Sequence, residues 1–99
     1  MGKKRSKTSQ SKHNKKVRSI AKSYQRKGWK VKADIPGFPK PTPIGKNDRV
    51  PDIEATRPGT RHLIEVETKE TYEADKDQRA AFRKSAKKRR RTKYKEAIV

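Results

Sequence analysis

The sequence predicts a small α/β domain with the element order α-β-β-β-α-β. Three observations lead there: a helical apolar period early in the chain, strand-like segments whose last two flank a tight turn, and a second helical period followed by a short apolar tail. Ninety-nine residues allow one domain. With 27% hydrophobic and 41% charged residues, its core must be small.

Residues 1–10 are polar and basic, with no apolar period, and read as a disordered arm ahead of a single domain over 11–99. From Ser11 onward, Val17, Ile20, Ala21 and Tyr24 fall at i, i+3, i+4 and i+7, one apolar stripe on an otherwise cationic helix. Gly28 is placed to stop it. Trp29, Val31, Ala33 and Ile35 then alternate with Lys30, Lys32 and Asp34, the two-residue period of a strand with one buried face. The proline- and glycine-rich stretch 36–49 can be neither helix nor central strand and reads as a loop.

Val50 to Thr56 is the second expected strand, with Pro51 at its start, where a missing N–H does least harm. Arg57-Pro58-Gly59-Thr60 has the chemistry of a type II turn. His62 to Thr68 completes a hairpin over 50–68. A second helix is expected from Thr71 to about Arg90, with Ala74, Gln78, Ala81, Phe82 and Ser85 at helical spacing, and a closing strand over Tyr94–Val99.

Charge gives the first functional pointer. Lys and Arg number 30 against 11 Asp and Glu, a net charge of +19. Residues 1–33 contain basic side chains and no acid, a second basic cluster runs over 83–95, and nine of the acids lie in 48–78. A single-sign excess of this size calls for a polyanionic partner, with DNA first and RNA second. The expected phosphate contacts are Lys15, Lys16, Arg18, Lys22, Arg26, Lys30, Lys87, Lys88, Arg89, Arg90 and Arg91. The absence of cysteine excludes disulfides, thiolate metal sites and a cysteine nucleophile. No apolar run is long enough to span a bilayer, and no apolar segment follows the basic N-terminus as in a secretory signal. The expectation is a cytoplasmic protein without a membrane partner.

The chemistry-bearing pattern is Pro51-Asp52 on one strand and Glu65-Val66-Glu67 on its hairpin partner. Glu65 and Glu67 share a strand face, and Asp52 can lie beside them across the hairpin. Like charges on paired strands repel, so three acids left together in so basic a chain suggest a bridging divalent cation, Mg²⁺ or Mn²⁺. Such a cation can neutralise a phosphodiester and activate water. The competing reading is a solvated sheet face neutralised by Lys and Arg.

These residues resemble the PD-(D/E)xK nuclease superfamily, which includes restriction endonucleases and archaeal Holliday junction resolvases. Pro51-Asp52 matches the first half of its signature, Glu65 follows 13 residues after Asp52 at the (D/E) position, and the element order agrees. The resemblance implies a minimal restriction-endonuclease-like core, a mixed sheet flanked by helices. It further implies metal ligation by Asp52 and Glu65 with the Val66 carbonyl as a third ligand, and Gln78 facing the site from the second helix. Two departures stand out: Glu67 occupies the lysine position, although Glu67-Thr68-Lys69 offers a shifted E-x-K, and no acid precedes Gly28. Glu67 or Lys69 would then orient the attacking water.

The expected function is metal-dependent endonuclease action on DNA, including branched or single-stranded forms. A homodimer would suit so small a core. The alternative is a non-catalytic basic nucleic-acid-binding protein on a degenerate nuclease fold. His13 is expected on the surface, His62 as an exposed strand residue, and Trp29 and Tyr24 in the core; Tyr72 lies near the motif.

Overall fold

The computed structural model describes residues 7–44, 48–68, 71–73, 76–89 and 91–99. Its elements are α1 (Lys7–Arg26), β1 (Lys30–Ala33), β2 (Ile53–Arg57), β3 (Thr60–Glu67), α2 (Lys76–Lys88) and β4 (Thr92–Ile98). The order is the expected α-β-β-β-α-β, in a mixed four-stranded sheet flanked by helices. The helix α1 begins four residues ahead of Ser11, so 7–10 are helical rather than part of an arm, while 1–6 lie outside the described residues.

Local chemistry sets the boundaries. Gly28 takes φ +88° and turns the chain out of α1, where the Trp29 amide donates to the Tyr24 carbonyl at 3.1 Å. β2 starts at Ile53 rather than Val50, because Pro51 has no N–H to give a ladder. Gly59 has φ +78°, the left-handed conformation a type II turn requires at that position. Residues 71–73 form a turn, so α2 is shorter than its apolar spacing suggested.

The sheet runs β1-β2-β3-β4, with β1–β2 and β2–β3 antiparallel and β3–β4 parallel. Alternation along β3 divides the core. Ile64 and Val66 join Val31, Ala33, Ile53 and Ala55 beneath the α1 stripe of Val17 and Ala21, with Trp29 and Ile35 completing that layer. On the opposite face Leu63 packs with Phe82 of α2, Ile44 and Tyr94. Glu54, Arg61, Glu65 and Glu67 also belong to this second face by their position in the strands. The apolar layer on that side is thin, and carboxylates fill much of the remainder.

Candidate active site

The candidate site lies where β2 and β3 part. Their last ladder pair is Ile53 with Ile64. One residue further, the Asp52 carbonyl turns to β1's continuation and accepts the Asp34 amide at 2.9 Å. Side chains then replace the ladder between the two strands. The Asp52 amide donates to Glu65 Oε1 at 2.8 Å, and the Val66 amide donates to Asp52 Oδ2 at 2.8 Å. Each strand thus ties its backbone to the other's carboxylate.

Both helices reach this crevice. From α2, whose apolar stripe it occupies, Gln78 Nε2 donates to Glu65 Oε2 at 3.1 Å, facing the site as the resemblance implied. From α1, His13 Nε2 lies 3.2 Å from Asp52 Oδ1. His13 is 4% exposed, which corrects its expected place on the surface. The physical reason is the helical period: His13 lies one turn before Val17, so it continues the buried stripe inward. Its Nδ1 faces Asn14 Oδ1 at 3.1 Å, an oxygen that also accepts from Gln10 Nε2 at 2.8 Å. An oxygen there calls for the proton on Nδ1, an assignment made from the hydrogen-bond network. Nε2 is then directed at Asp52, either as the second N–H of an imidazolium or as a lone pair toward a shared cation.

Glu65 is 2% exposed, and its pKa is pushed up to about 9. Burial is the largest cause and the negative charge of Asp52 the next; the Asp52 amide and Gln78 oppose the shift, and Glu67 adds to it. Without a cation, the Glu65 carboxyl therefore keeps its proton well above the usual carboxylate range. A bound cation would take that proton's place.

The other expected site residues are placed differently. Glu67 shares a face with Glu65 but is fully buried, and its Oε2 accepts the Thr71 hydroxyl at 2.7 Å. It is tied to the turn before α2. Val66 contributes its amide to Asp52. Lys69 lies outside the described residues, as does Arg90. Tyr72 stacks under the Arg79 guanidinium at 3.7 Å, and Arg79 donates to the Tyr72 carbonyl.

His62 is half-buried, a correction to its expected exposure. Its Nδ1 is 2.8 Å from the Tyr24 hydroxyl, and its ring lies 4.6 Å from that of Trp29. Burial first, then Lys95, Lys93 and Arg57, lower its pKa and favour the neutral ring. Trp29 is buried, as its alternating strand position implied. Glu54, not singled out from the sequence, is buried and accepts from the Thr42 amide at 3.0 Å while pairing with Arg61 at 2.6 Å.

Among the expected phosphate contacts, Lys15, Lys16, Arg18, Lys22 and Arg26 are exposed along α1, as is Lys30 on β1. Lys87, Lys88, Arg89 and Arg91 are exposed around the α2–β4 junction. Ion pairs among the described residues use His13, Arg61, Arg79 and Arg83, leaving those ten cations outside them.

Among the described residues, no three Asp, Glu or His side chains converge into a closed metal cage. The crevice offers two carboxylates backed by an imidazole. That donor set fits Mg²⁺, which is commonly held by one or two carboxylates, with water and substrate phosphate oxygens completing its shell. No family model, no curated protein and no solved structure matches this chain. No described helix is long and apolar enough to cross a membrane.

Proposed function

We propose that the chain is a metal-dependent endonuclease of the PD-(D/E)xK type that hydrolyses phosphodiester bonds in DNA. One observation carries this reading: the reciprocal Asp52–Glu65 arrangement at the point where the two strands separate. Such a pair is costly to maintain for stability alone, since burial and mutual repulsion both raise the Glu65 pKa. It suits a cation that both carboxylates hold.

Asp52 and Glu65 would hold Mg²⁺ or Mn²⁺, which when bound supplies charge neutralisation for the phosphate and a lowered pKa for water. The remaining work falls to protein groups. Gln78 fixes Glu65, and the Val66 amide and His13 each hold one oxygen of Asp52. The exposed cations of α1 and the α2–β4 junction would grip phosphates without reading sequence.

One observation favours a non-catalytic nucleic-acid binder: each oxygen of Asp52 and Glu65 already has a partner within the protein. Supercoiled, branched and single-stranded DNA, incubated with Mg²⁺ or Mn²⁺, separate the readings. Endonuclease action predicts cleavage by the wild type and none by Asp52→Ala or Glu65→Ala, with DNA binding retained. Binding without cleavage of any substrate supports the alternative.

A further inference from the structure

On the α1 side of the sheet, one strand extends past the helix. Among the described residues, α1 packs on β1, β2 and β3 but not on β4, which forms an uncovered ledge. The parallel register sets His62 beside Lys93, Ile64 beside Lys95 and Val66 beside Ala97. Ile64 and Val66 belong to the layer beneath α1, so Lys93, Lys95 and Ala97 face that same side. Ala97 packs against the layer, while both lysines are exposed.

The facing wall is one flank of α1. Gln10, Asn14 and Arg18 border an open groove with Pro36, past the end of β1, so the opposite flank of the helix is turned toward β3 and β4. That flank carries Lys16, Ile20 and Lys27 at i, i+4 and i+11. Lys27 follows the last residue of α1 but keeps its turn, its amide donating to the Ser23 carbonyl at 3.3 Å. Ile20 packs on the core layer and the two lysines are exposed. Between the walls lies His62, held by the Tyr24 hydroxyl at 2.8 Å. Besides burial, Lys95, Lys93 and Arg57 act on its ring, so three cations gather around this one residue. No acid joins them: α1 has none, and Glu96, the acid of β4, pairs with Arg83 of α2 at 2.8 Å. None of Lys16, Lys27, Arg57, Lys93 and Lys95 takes part in the ion pairs of the described residues.

We propose that the trough between α1 and β4 is a nucleic-acid track, in which Lys93 and Lys95 contact separate backbone phosphates and Lys16 and Lys27 flank the strand from the helix. The inference rests on the nucleic-acid part of the proposed function and not on cleavage. Cations spaced along both walls suit a regular polyanion, whose charge repeats at every unit, better than a ligand with one anionic group. The trough also leads toward the crevice, because Ala97 pairs with Val66, whose amide holds Asp52.

The test is binding of labelled DNA across a salt series in metal-free buffer, with poly-glutamate as the competing polyanion. Lys93→Ala and Lys95→Ala should each reduce the slope of log K against log salt by about 1, and the double variant by about 2. Lys93→Arg with Lys95→Arg should keep the wild-type slope, which separates lost charge from a damaged strand. NMR titration of the His62 ring gives an independent reading: phosphates beside Lys93 and Lys95 should raise its pKa in the DNA complex. Unchanged slopes in the alanine variants, or a His62 titration that DNA leaves unmoved, overturn the proposal. So does loss of poly-glutamate binding with DNA affinity intact, which would make an acidic polypeptide the occupant. Absence of DNA binding by the wild type overturns it together with the nucleic-acid reading; failure of cleavage alone leaves it standing.

Discussion

His13 Nε2 stands 3.2 Å from Asp52 Oδ1, joining a helix without a single acid to the most acidic corner of the sheet. The contact fastens α1 at the mouth of the crevice and partners the Asp52 oxygen that the Val66 amide does not reach. It also places the imidazole where it affects both stability and cation binding.

Replacing His13 with Ala should therefore lower unfolding free energy by about 1–3 kcal/mol, since a largely buried carboxylate oxygen loses its partner. Urea denaturation measures this directly. Asn14→Ala, which removes only the group that orients the ring, should cost less. In the cleavage assay, His13→Ala should reduce the rate by about 10–100-fold, the usual consequence of losing a group that orients a metal ligand.

Glu65→Gln should separate stability from function. At neutral pH, the amide can still accept from the Asp52 amide and can donate to a reoriented Gln78, and folding no longer has to take up a proton at this position. The metal-free variant should equal or exceed the wild type in melting temperature while losing cation-dependent cleavage. A marked fall in melting temperature would assign Glu65 a structural role.

The pH dependence of the metal-free chain has two limbs. The folded state retains the Glu65 proton up to about pH 9, whereas the unfolded chain releases it near 4.5, so the folded chain binds more protons between those values. Rising pH therefore removes stability across that window. For Glu54, burial would raise the pKa, but the Thr42 amide and Arg61 outweigh it and hold the pKa below its ordinary value. Its contribution is complete above pH 4.5 and is lost as pH falls through the depressed folded value. Thermal melts should show stability falling toward alkaline pH through Glu65 and toward strong acid through Glu54. A divalent cation that displaces the Glu65 proton should stabilise more at pH 8 than at pH 5.

Much of the crevice was readable in the sequence because strand alternation and hairpin spacing are local. Asp52, Glu65 and Gln78 followed from a period of two, a tight turn and a helical stripe, and they meet as expected. His13 does not register in an apolar period because it is polar, yet it lies one turn before Val17 on the same stripe, and that position turns it inward. The burial of Glu54 and the turning of Glu67 onto Thr71 depend on partners outside the strands that carry them, which periodicity does not reveal. The trough beside α1 likewise depends on β4 joining the sheet past the helix, a tertiary event set by the parallel pairing of β3 with β4.

The most direct test of the account is an Mn²⁺ or Mg²⁺ titration followed at the Asp52 and Val66 amide resonances. The account predicts saturable changes concentrated at these two amides and at Gln78, abolished in Glu65→Gln. Amides that stay unmoved up to the highest cation concentration, or that drift together with the surface residues, would contradict a cation held between Asp52 and Glu65.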